Sequence, residues 1–570
     1  MFQNHIKELL KKTLKAKEIA LEIPPDSKLG DFAFACFAFS KEQKKSPVDI
    51  AKELAEKIKP DDFIKEVKAT GPYVNFFINK AKLAENTLQD ISKKKDKYGH
   101  SGIGSKEVVV VEYPAPNTNK PLHLGHMRNM ALGVSMANIL ESQGCKVQRV
   151  NLNNDRGIHV CKSMLAYQKW GNGKTPEKEK RKPDHFVGDY YVMFCQKAKE
   201  DPKLEDEAQE MLRKWEAGDK EVRALWKKMN TWAFKGFKET YKHFGLPKFD
   251  KEYFESETYK QGKEIVMQGV EDGIFKERED GAIVVDLKKQ GLGEKVLIRA
   301  DGTSVYVTQD LYLAQLKHKD FNFDKSIYVV ATEQNYHFNV LFTLLKKLKY
   351  SWADGCYHFA YGMVLLPEGK MKSREGTVVD ADDLMLEMED LAREEITKRH
   401  KDLEEETVHE RGTIVGLGAI KFYLLKIDAI KDMTFLPEES ISFEGDTGPY
   451  LQYTHARACS VLRKAKEKKM MPDVNIKYSL LCAPSEIALM QLLSEFPDKV
   501  ADACVSLRPH IIAQYLLALG RAFNEFYHAC HCLKEEDEEL AKARLLLIDS
   551  SRQVIKNGLN LLGIHAPEEM

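Results

Sequence analysis

The sequence predicts a multidomain α/β protein, in which a parallel-sheet core is preceded by a small α+β domain and followed by an all-α helical bundle. Three observations lead there. Val108 to Tyr113 (VVVVEY) is a short β-branched run; a helical pattern follows from His123 to Gln143, and a second apolar run begins at Val147. Strand, loop, helix, strand is the opening of a doubly wound, Rossmann-like sheet whose strands are buried on both faces. From Leu384 to Met570 the periodicity is helical almost throughout, including LQYTHARACSVLRKAKEKK and HIIAQYLLALGRAFNEFYHAC. Finally, 570 residues amount to about four units of ~150 residues each, so core and bundle cannot be the whole chain.

The elements follow in order. Residues 1–104 are expected as the N-terminal α+β domain. Amphipathic HIKELLKKTLKA and VDIAKELAEKIK flank strand-like VKATGPYVNFFIN, and the charged run SKKKDKYGHSGIGSKE reads as a linker. Residues 105–384 are the Rossmann-like domain. Pro114 and Pro116 stop its first strand, and Gly144 is placed to cap the first helix at its C-terminus. A charged, Trp-rich stretch (Trp170, Trp215, Trp226, Trp232) interrupts the α/β rhythm and is expected as a helical insertion over about 165–260. Strands return at AIVVDL, KVLIRA and SIYVVA. Residues 385–570 are the helical region, with the bundle proper over about 445–570.

Composition excludes several classes. Apolar residues are 43% and charged residues 31%, too apolar for a disordered chain, and 34 Gly with 20 Pro is far from a collagen-like repeat. Lys+Arg and Asp+Glu are both 87, but a zero net charge still permits segregated patches that bind nucleic acid. The ten cysteines include no CxxC pair, so neither a zinc ribbon nor a disulfide framework is expected. Cys530-His531-Cys532, read as part of a helix, would point its two thiols apart, and no protein metal site is expected. The first residues, MFQNHIKELLKK, lack an apolar signal region, and no stretch approaches the ~20 apolar residues of a membrane span. A reducing, cytoplasmic setting and no membrane partner are expected.

His123-Leu124-Gly125-His126 opens the first helix after the first strand, where a helix N-terminus already favours phosphate and two imidazoles add N–H donors. Gly125 lacks a Cβ, so a flat base could lie against the backbone there. Far downstream, Lys370-Met371-Lys372-Ser373-Arg374 lies between Gly369 and Gly376, a glycine-hinged basic loop suited to gripping and releasing a triphosphate. Without further context a basic surface loop carries little information.

The order of these two motifs on an α/β core resembles a class I aminoacyl-tRNA synthetase, and the residues between them narrow the resemblance to the arginyl-tRNA synthetase family. VEYPAPNTNKPLHLGHMRN is similar to that family's adenylate signature. NLNNDRGIH, DGTSVYVTQD and TEQNYHF resemble its second-strand, arginine-pocket and strand-end segments. TGPYLQYTHARACSVLRK and LNLLGIHAPEEM are similar to the start and end of its anticodon-binding bundle. GDFAFACFAFSK and GPYVNFFINK resemble its added N-terminal domain, which binds the tRNA elbow.

The resemblance implies a two-step reaction. The arginine carboxylate attacks the α-phosphate of ATP, and the adenylate is then transferred to the terminal 2′-hydroxyl of tRNA(Arg). Mg²⁺ would be held mostly through substrate phosphates. His123, His126, Lys120 and Lys370 are the implied catalytic groups, while Pro116, Asn117, Gly125, Met363, Lys370 and Met371 are implied at ATP. A guanidinium is a fork of donors that needs a carboxylate and neutral acceptors. Tyr306 and Asp310, at i and i+4, would share a helix face; by itself the pair reads as a solvated face, and the resemblance assigns it to the arginine side chain together with Gln334. Asn117, Asn154 and Glu112 are implied near the rest of the amino acid, Glu112 being equally readable as structural. Tyr450, Tyr453 and Arg457, on one helical face, would stack on and pair with anticodon-loop bases. Phe523, Phe526 and Tyr527 are the alternative reading face.

Two positions depart from the family pattern. Ala115 replaces a common serine. The loop reads K-M-K-S-R, so Ser373 stands where the second lysine is usual, and Lys120 becomes the natural replacement cation. Two alternatives remain at this stage: a small-molecule nucleotidyltransferase of the HxGH type, which would not need the terminal domains, and an inactive tRNA-binding paralogue, in which the motifs should have eroded. By analogy with the family, a monomer is expected.

Overall fold

A computed structural model describes residues 2–365, 367 and 379–570. The helix Phe2–Leu14 and the helix Pro47–Lys57, whose N-cap Ser46 accepts from the Asp49 amide, pack on a three-stranded antiparallel sheet. Tyr73–Ile78 is its central strand, between Phe32–Ala35 and Ile64–Thr70. Ile6, Leu10, Phe34, Ile50 and Phe76 form the core of this domain.

The run expected as a linker is not free chain. It is helical through Lys94, and its next residues are anchored to the C-terminal helices. The Tyr98 hydroxyl donates to the Leu493 carbonyl at 2.9 Å, and Asn557 Nδ2 donates to the carbonyls of Lys95 (2.9 Å) and Tyr98 (3.1 Å). Gly99, at φ +96°, lies so close to the Phe496 ring that a Cβ would come within 2.5 Å of it. The charges mark the solvent side of this segment, while one buried tyrosine fixes the other.

The centre is a five-stranded, fully parallel sheet of β1 (Val108–Glu112), β2 (Lys146–Asn153), β3 (Lys251–Phe254), β4 (Lys325–Ala331) and β5 (Cys356–Tyr361). Its spatial order is β5-β4-β1-β2-β3. The chain winds outward from β1 to β3, returns, and winds the other way. The switch point is therefore between β1 and β4, and ligands in such sheets bind beyond the carboxyl ends of the strands there. The helix Leu124–Ser142 crosses from β1 to β2 and is buried on nearly every side, because C-terminal helices cover its outer face. Gly133 on it faces the Tyr113 ring, where a Cβ would come within 2.3 Å.

Two expectations need correction, and a third element gains its sheet. The stretch 165–260 is helical (Pro183–Glu200, Lys203–Ala217, Lys220–Phe244) only until Lys251–Phe254, which joins the central sheet as β3. AIVVDL and KVLIRA are strands as expected, but outside that sheet. With Lys276–Glu277 they form a separate antiparallel one. The short turn Lys288–Gln290, closed by Gly291 at φ +75°, can only return the strand beside itself, whereas a parallel pairing needs a long crossover. Last, the helix containing Phe526 ends at Ala529, so Cys530 and Cys532 lie beyond it, both buried.

The region after 380 is helical as expected, with long helices Ala381–Arg399, Glu405–Leu425, Gly448–Glu467, Pro484–Ser506, His510–Ala529 and Glu538–Leu561. No helix among the described residues is long and apolar enough to cross a membrane.

Candidate active site

The site forms where β1 ends. His123 is the N-cap of the helix Leu124–Ser142, and its Nδ1 accepts the Gly125 amide at 3.2 Å. His126 Nδ1 accepts the His123 amide at 3.1 Å. Both Nδ1 atoms thus use their lone pairs on backbone N–H groups, which leaves the proton of each neutral ring on Nε2. Protonating either ring would break a cap. Burial, with Lys120 nearby, pushes His123 down to about 4 and, with His123 nearby as well, His126 well below its ordinary value. The outcome is two neutral imidazoles, ring centres 3.9 Å apart, available as Nε2–H donors at the positive end of a helix. Gly125 has a further purpose: a Cβ there would lie 3.0 Å from the His123 ring.

Lys120 sits close enough to depress the pKa of both imidazoles and of His159, and its own is lowered by burial. It has no acidic partner among the described residues. The insertion helix Pro183–Glu200 backs this segment, with Gly188 allowing contact with Pro121 and the Lys120 backbone. Upstream, Asn154 Nδ2 donates to the carbonyls of Ala115 (3.0 Å) and Pro116 (3.4 Å), and the Asn154 amide donates to Pro116 at 3.0 Å. Asn154 therefore shapes the loop that presents the exposed side chain of Asn117, while Pro116 is buried. Ala115 takes φ +53°, its amide held by Asn151 Oδ1 at 3.1 Å.

On the β4 side, Gln334 lies exposed just past the strand, capping the helix Asn335–Lys347. Tyr306 is the first residue of the helix Tyr306–Phe321 and is 68% exposed. Asp310, one turn on, is paired with His337 Nε2 at 2.6 Å, a partner that sequence reasoning missed although it lies in the TEQNYHF segment. Burial opposes the charge on His337, but the hydrogen bond and charge of Asp310 outweigh it and raise its pKa. Glu255 lies behind: burial pushes its carboxyl up to about 7, Arg156 opposing and Asp155 and Asp310 adding. Glu112 is buried against Lys317 Nζ at 2.9 Å, and that ammonium also lies 3.6 Å from the centre of the Tyr328 ring. This pairing favours the structural alternative for Glu112.

Met363 is exposed, with its amide donating to Asp432 Oδ1 at 2.7 Å. Lys370, Met371, Lys372, Ser373 and Arg374 lie outside the described residues. In the bundle, Arg457 donates to Asn524 Oδ1 (2.6 Å), whose Nδ2 donates to the Tyr450 hydroxyl (2.9 Å), and the guanidinium lies over the Tyr453 and Tyr527 rings. These residues make one half-buried cluster. Phe523 and Phe526 are fully buried, so of the alternative reading face only Tyr527, which joins this cluster, has accessible surface. Among the described residues, Asp184, His185 and Asp382 have metal-like spacing. Lys182 Nζ already lies 2.6 Å from Asp382 and 3.2 Å from Asp184, filling the place of a cation.

Two imidazole donors at a helix N-terminus, at the switch point of a β5-β4-β1-β2-β3 parallel sheet, are the core of a class I aminoacyl-tRNA synthetase. Residues 87–436 match the family described as "tRNA synthetases class I (R), catalytic domain", residues 451–570 the DALR anticodon binding domain, and residues 1–78 the arginyl tRNA synthetase N terminal domain. The chain is 47% identical to the arginine–tRNA ligase of Treponema denticola, over 97% of this chain and 95% of that one. It is 46% identical to that of Parabacteroides distasonis, over 99% and 98%. Its fold matches the arginyl-tRNA synthetase of Thermus thermophilus with a TM-score of 0.83 at 28% identity, covering 100% of both chains. The chain belongs to the arginyl-tRNA synthetase family.

Proposed function

We propose that this protein, as a cytoplasmic monomer, activates L-arginine with ATP and transfers it to tRNA(Arg). The observation that carries the reading is the pair of neutral Nε2–H donors at His123 and His126, locked in that tautomer by the helix cap. An arginine carboxylate oxygen attacks the α-phosphorus; the bond to the β-bridging oxygen breaks, and pyrophosphate carries off the charge. His123 and His126 donate to the phosphate oxygens where that charge grows, with Lys120 supplying the cation and Lys370 a second one. Asn117 and Pro116 border the nucleotide beside Gly125, with Met363 on its other side, and Met371 is a further ATP contact implied by the family. The guanidinium takes Asp310, with Tyr306 and Gln334 at its edges, and Asn154 keeps the Asn117 loop in place. The terminal 2′-hydroxyl of the tRNA then attacks the adenylate carbonyl, and AMP leaves. No protein nucleophile is required, so catalysis is positioning plus electrostatics.

The donor set of His123, His126 and Lys120 contains no carboxylate, so it suits phosphate rather than a magnesium cage. Mg²⁺ would supply charge neutralisation on the triphosphate, held by the phosphates themselves. Tyr450, Tyr453 and Arg457 face the anticodon loop, and residues 1–78 the tRNA elbow.

ATP–pyrophosphate exchange, measured with and without tRNA and paired with arginylation of tRNA(Arg), tests the reading. Arginine-dependent exchange and arginylation are expected. Exchange without transfer to tRNA would point to a small-molecule nucleotidyltransferase, and tRNA binding without exchange to an inactive paralogue.

A further inference from the structure

Arg128 lies two residues beyond His126 on the same helix and is 0% exposed. Among the described residues no carboxylate contacts it. Its guanidinium instead donates to four backbone carbonyls: Nη1 to Gly362 (2.6 Å) and Met363 (3.3 Å), Nη2 to Ala429 (3.1 Å) and Lys431 (2.9 Å). Those carbonyls belong to two chain segments zipped side by side. The Gly362 amide donates to Ala429 O and the Met433 amide to Met363 O, each at 2.9 Å, and Val364–Leu365 pairs in parallel with Met433–Thr434. At Gly362 the approach is so tight that a Cβ would come within 2.5 Å of the Lys431 carbonyl carbon. Burial lowers the pKa of Arg128 to about 10, with Tyr361, Asp432 and Asp428 opposing, so the side chain stays cationic at neutral pH.

A buried cation without a counter-ion is a poor device for stability, since an apolar side chain of similar volume would pack there without the desolvation cost. What no apolar side chain can do is hold four carbonyls from two segments at fixed angles, which a planar fork of donors does. One of those segments carries Met363, which the proposed reading puts beside the nucleotide, and the helix carries His126.

We propose that Arg128 is a positioning residue for arginyl-adenylate formation, fixing the Gly362–Met363 backbone relative to the His123–His126 donors. This rests on the reading that Met363 borders ATP. Displacement of a substrate-bordering group by about 1 Å is enough to cost ~10²-fold in rate.

Arg128→Lys keeps the charge but cannot span four carbonyls. It should lower kcat/KM for ATP about 10²-fold in pyrophosphate exchange, with arginine KM within about twofold of the parent and tRNA Kd unchanged. Asp432 holds the Met363 amide from the exposed side, so Asp432→Ala should reproduce the ATP-selective loss at about tenfold without touching the core. A folded Arg128→Lys enzyme with parental kcat/KM for ATP, or with equal losses for ATP and arginine, overturns the proposal. If Arg128→Lys does not fold, Asp432→Ala decides alone, parental kcat/KM for ATP overturning it. His126→Ala separates the two levels of inference. Exchange that survives His126→Ala refutes the underlying site reading, whereas exchange lost there but unaffected in Asp432→Ala overturns only the role of Arg128.

Discussion

Asp310→Asn keeps the shape of the guanidinium partner and removes its charge. The cost follows from the surroundings. The Asp310 side chain is 29% exposed and already bonded to His337, so it belongs neither with surface pairs nor with fully buried ones. Surface pairs contribute up to ~1 kcal/mol and breaking a buried pair costs about 3–5 kcal/mol, so about 2 kcal/mol is expected here. That is roughly a 30-fold rise in arginine KM with ATP KM unchanged. The pair also dictates a pH dependence. His337, with a raised pKa, is protonated on the acid side, where the imidazolium occupies the carboxylate that the guanidinium needs. Raising the pH through that pKa frees Asp310, so arginine KM falls, by up to about tenfold per pH unit while His337 is charged. Glu255, its carboxyl pushed up to about 7, also gains negative charge as the pH rises and pushes the same way. His337→Asn should flatten most of this limb and leave the shallower contribution of Glu255. The assay is arginine KM in pyrophosphate exchange from about pH 6 to 8 for the parent, Asp310→Asn and His337→Asn. A parental KM for Asp310→Asn, or a flat profile in the parent, would refute the assignment.

Lys120→Ala should lower kcat for exchange by roughly 10²–10³ with ATP KM little changed, the loss typical of removing one preorganised transition-state donor; a change confined to KM would place Lys120 in ground-state binding only. Arg457→Ala should weaken tRNA binding by about tenfold in a filter-binding titration while leaving tRNA-independent steps intact, because it removes the cation bridging Tyr453, Tyr527 and Asn524; unchanged tRNA affinity would move the anticodon surface elsewhere. Lys317→Met should destabilise the fold by about 3–5 kcal/mol in thermal unfolding by stranding Glu112, and adding Glu112→Gln should restore most of it. A parental melting temperature with a raised arginine KM would instead return Glu112 to the substrate.

What could be read from the sequence was what depends on near neighbours. VVVVEY, the two prolines and HLGH specify strand, turn and helix cap within twenty residues, and the cap itself dictates the histidine tautomer. β3 was lost inside the insertion because KEYF is four residues long, with two charges and no β-branched residue to mark it. AIVVDL and KVLIRA were legible as strands, but not their pairing into a separate antiparallel sheet, because apolar content carries no information about strand direction. Asp310 was found but His337 was not, since their pairing across 27 positions is created by the fold. Arg128 was overlooked for the same reason: in sequence it is one more basic residue on a helix, and only the arrival of residues 362–363 and 429–431 makes it a rivet.

The anchoring of Tyr98 bears on how the molecule could be dissected. The strands of the first globular unit end with Tyr73–Ile78; Leu83 still packs into its core, but beyond Lys94 the chain is masonry of the far end, mortared to Leu493, Phe496 and Asn557. A cut after residue 104 would pull a keystone from the anticodon-binding half. A cut after Asn79 severs instead two of the ties on Asp31, which accepts from Lys80 and from Gln491 Nε2 (2.9 Å), while its bond from the Ile78 amide (2.9 Å) stays within the N-terminal piece. The N-terminal unit is therefore held to the rest through Asp31 and through Leu83, which packs into its core, and removing it exposes that contact.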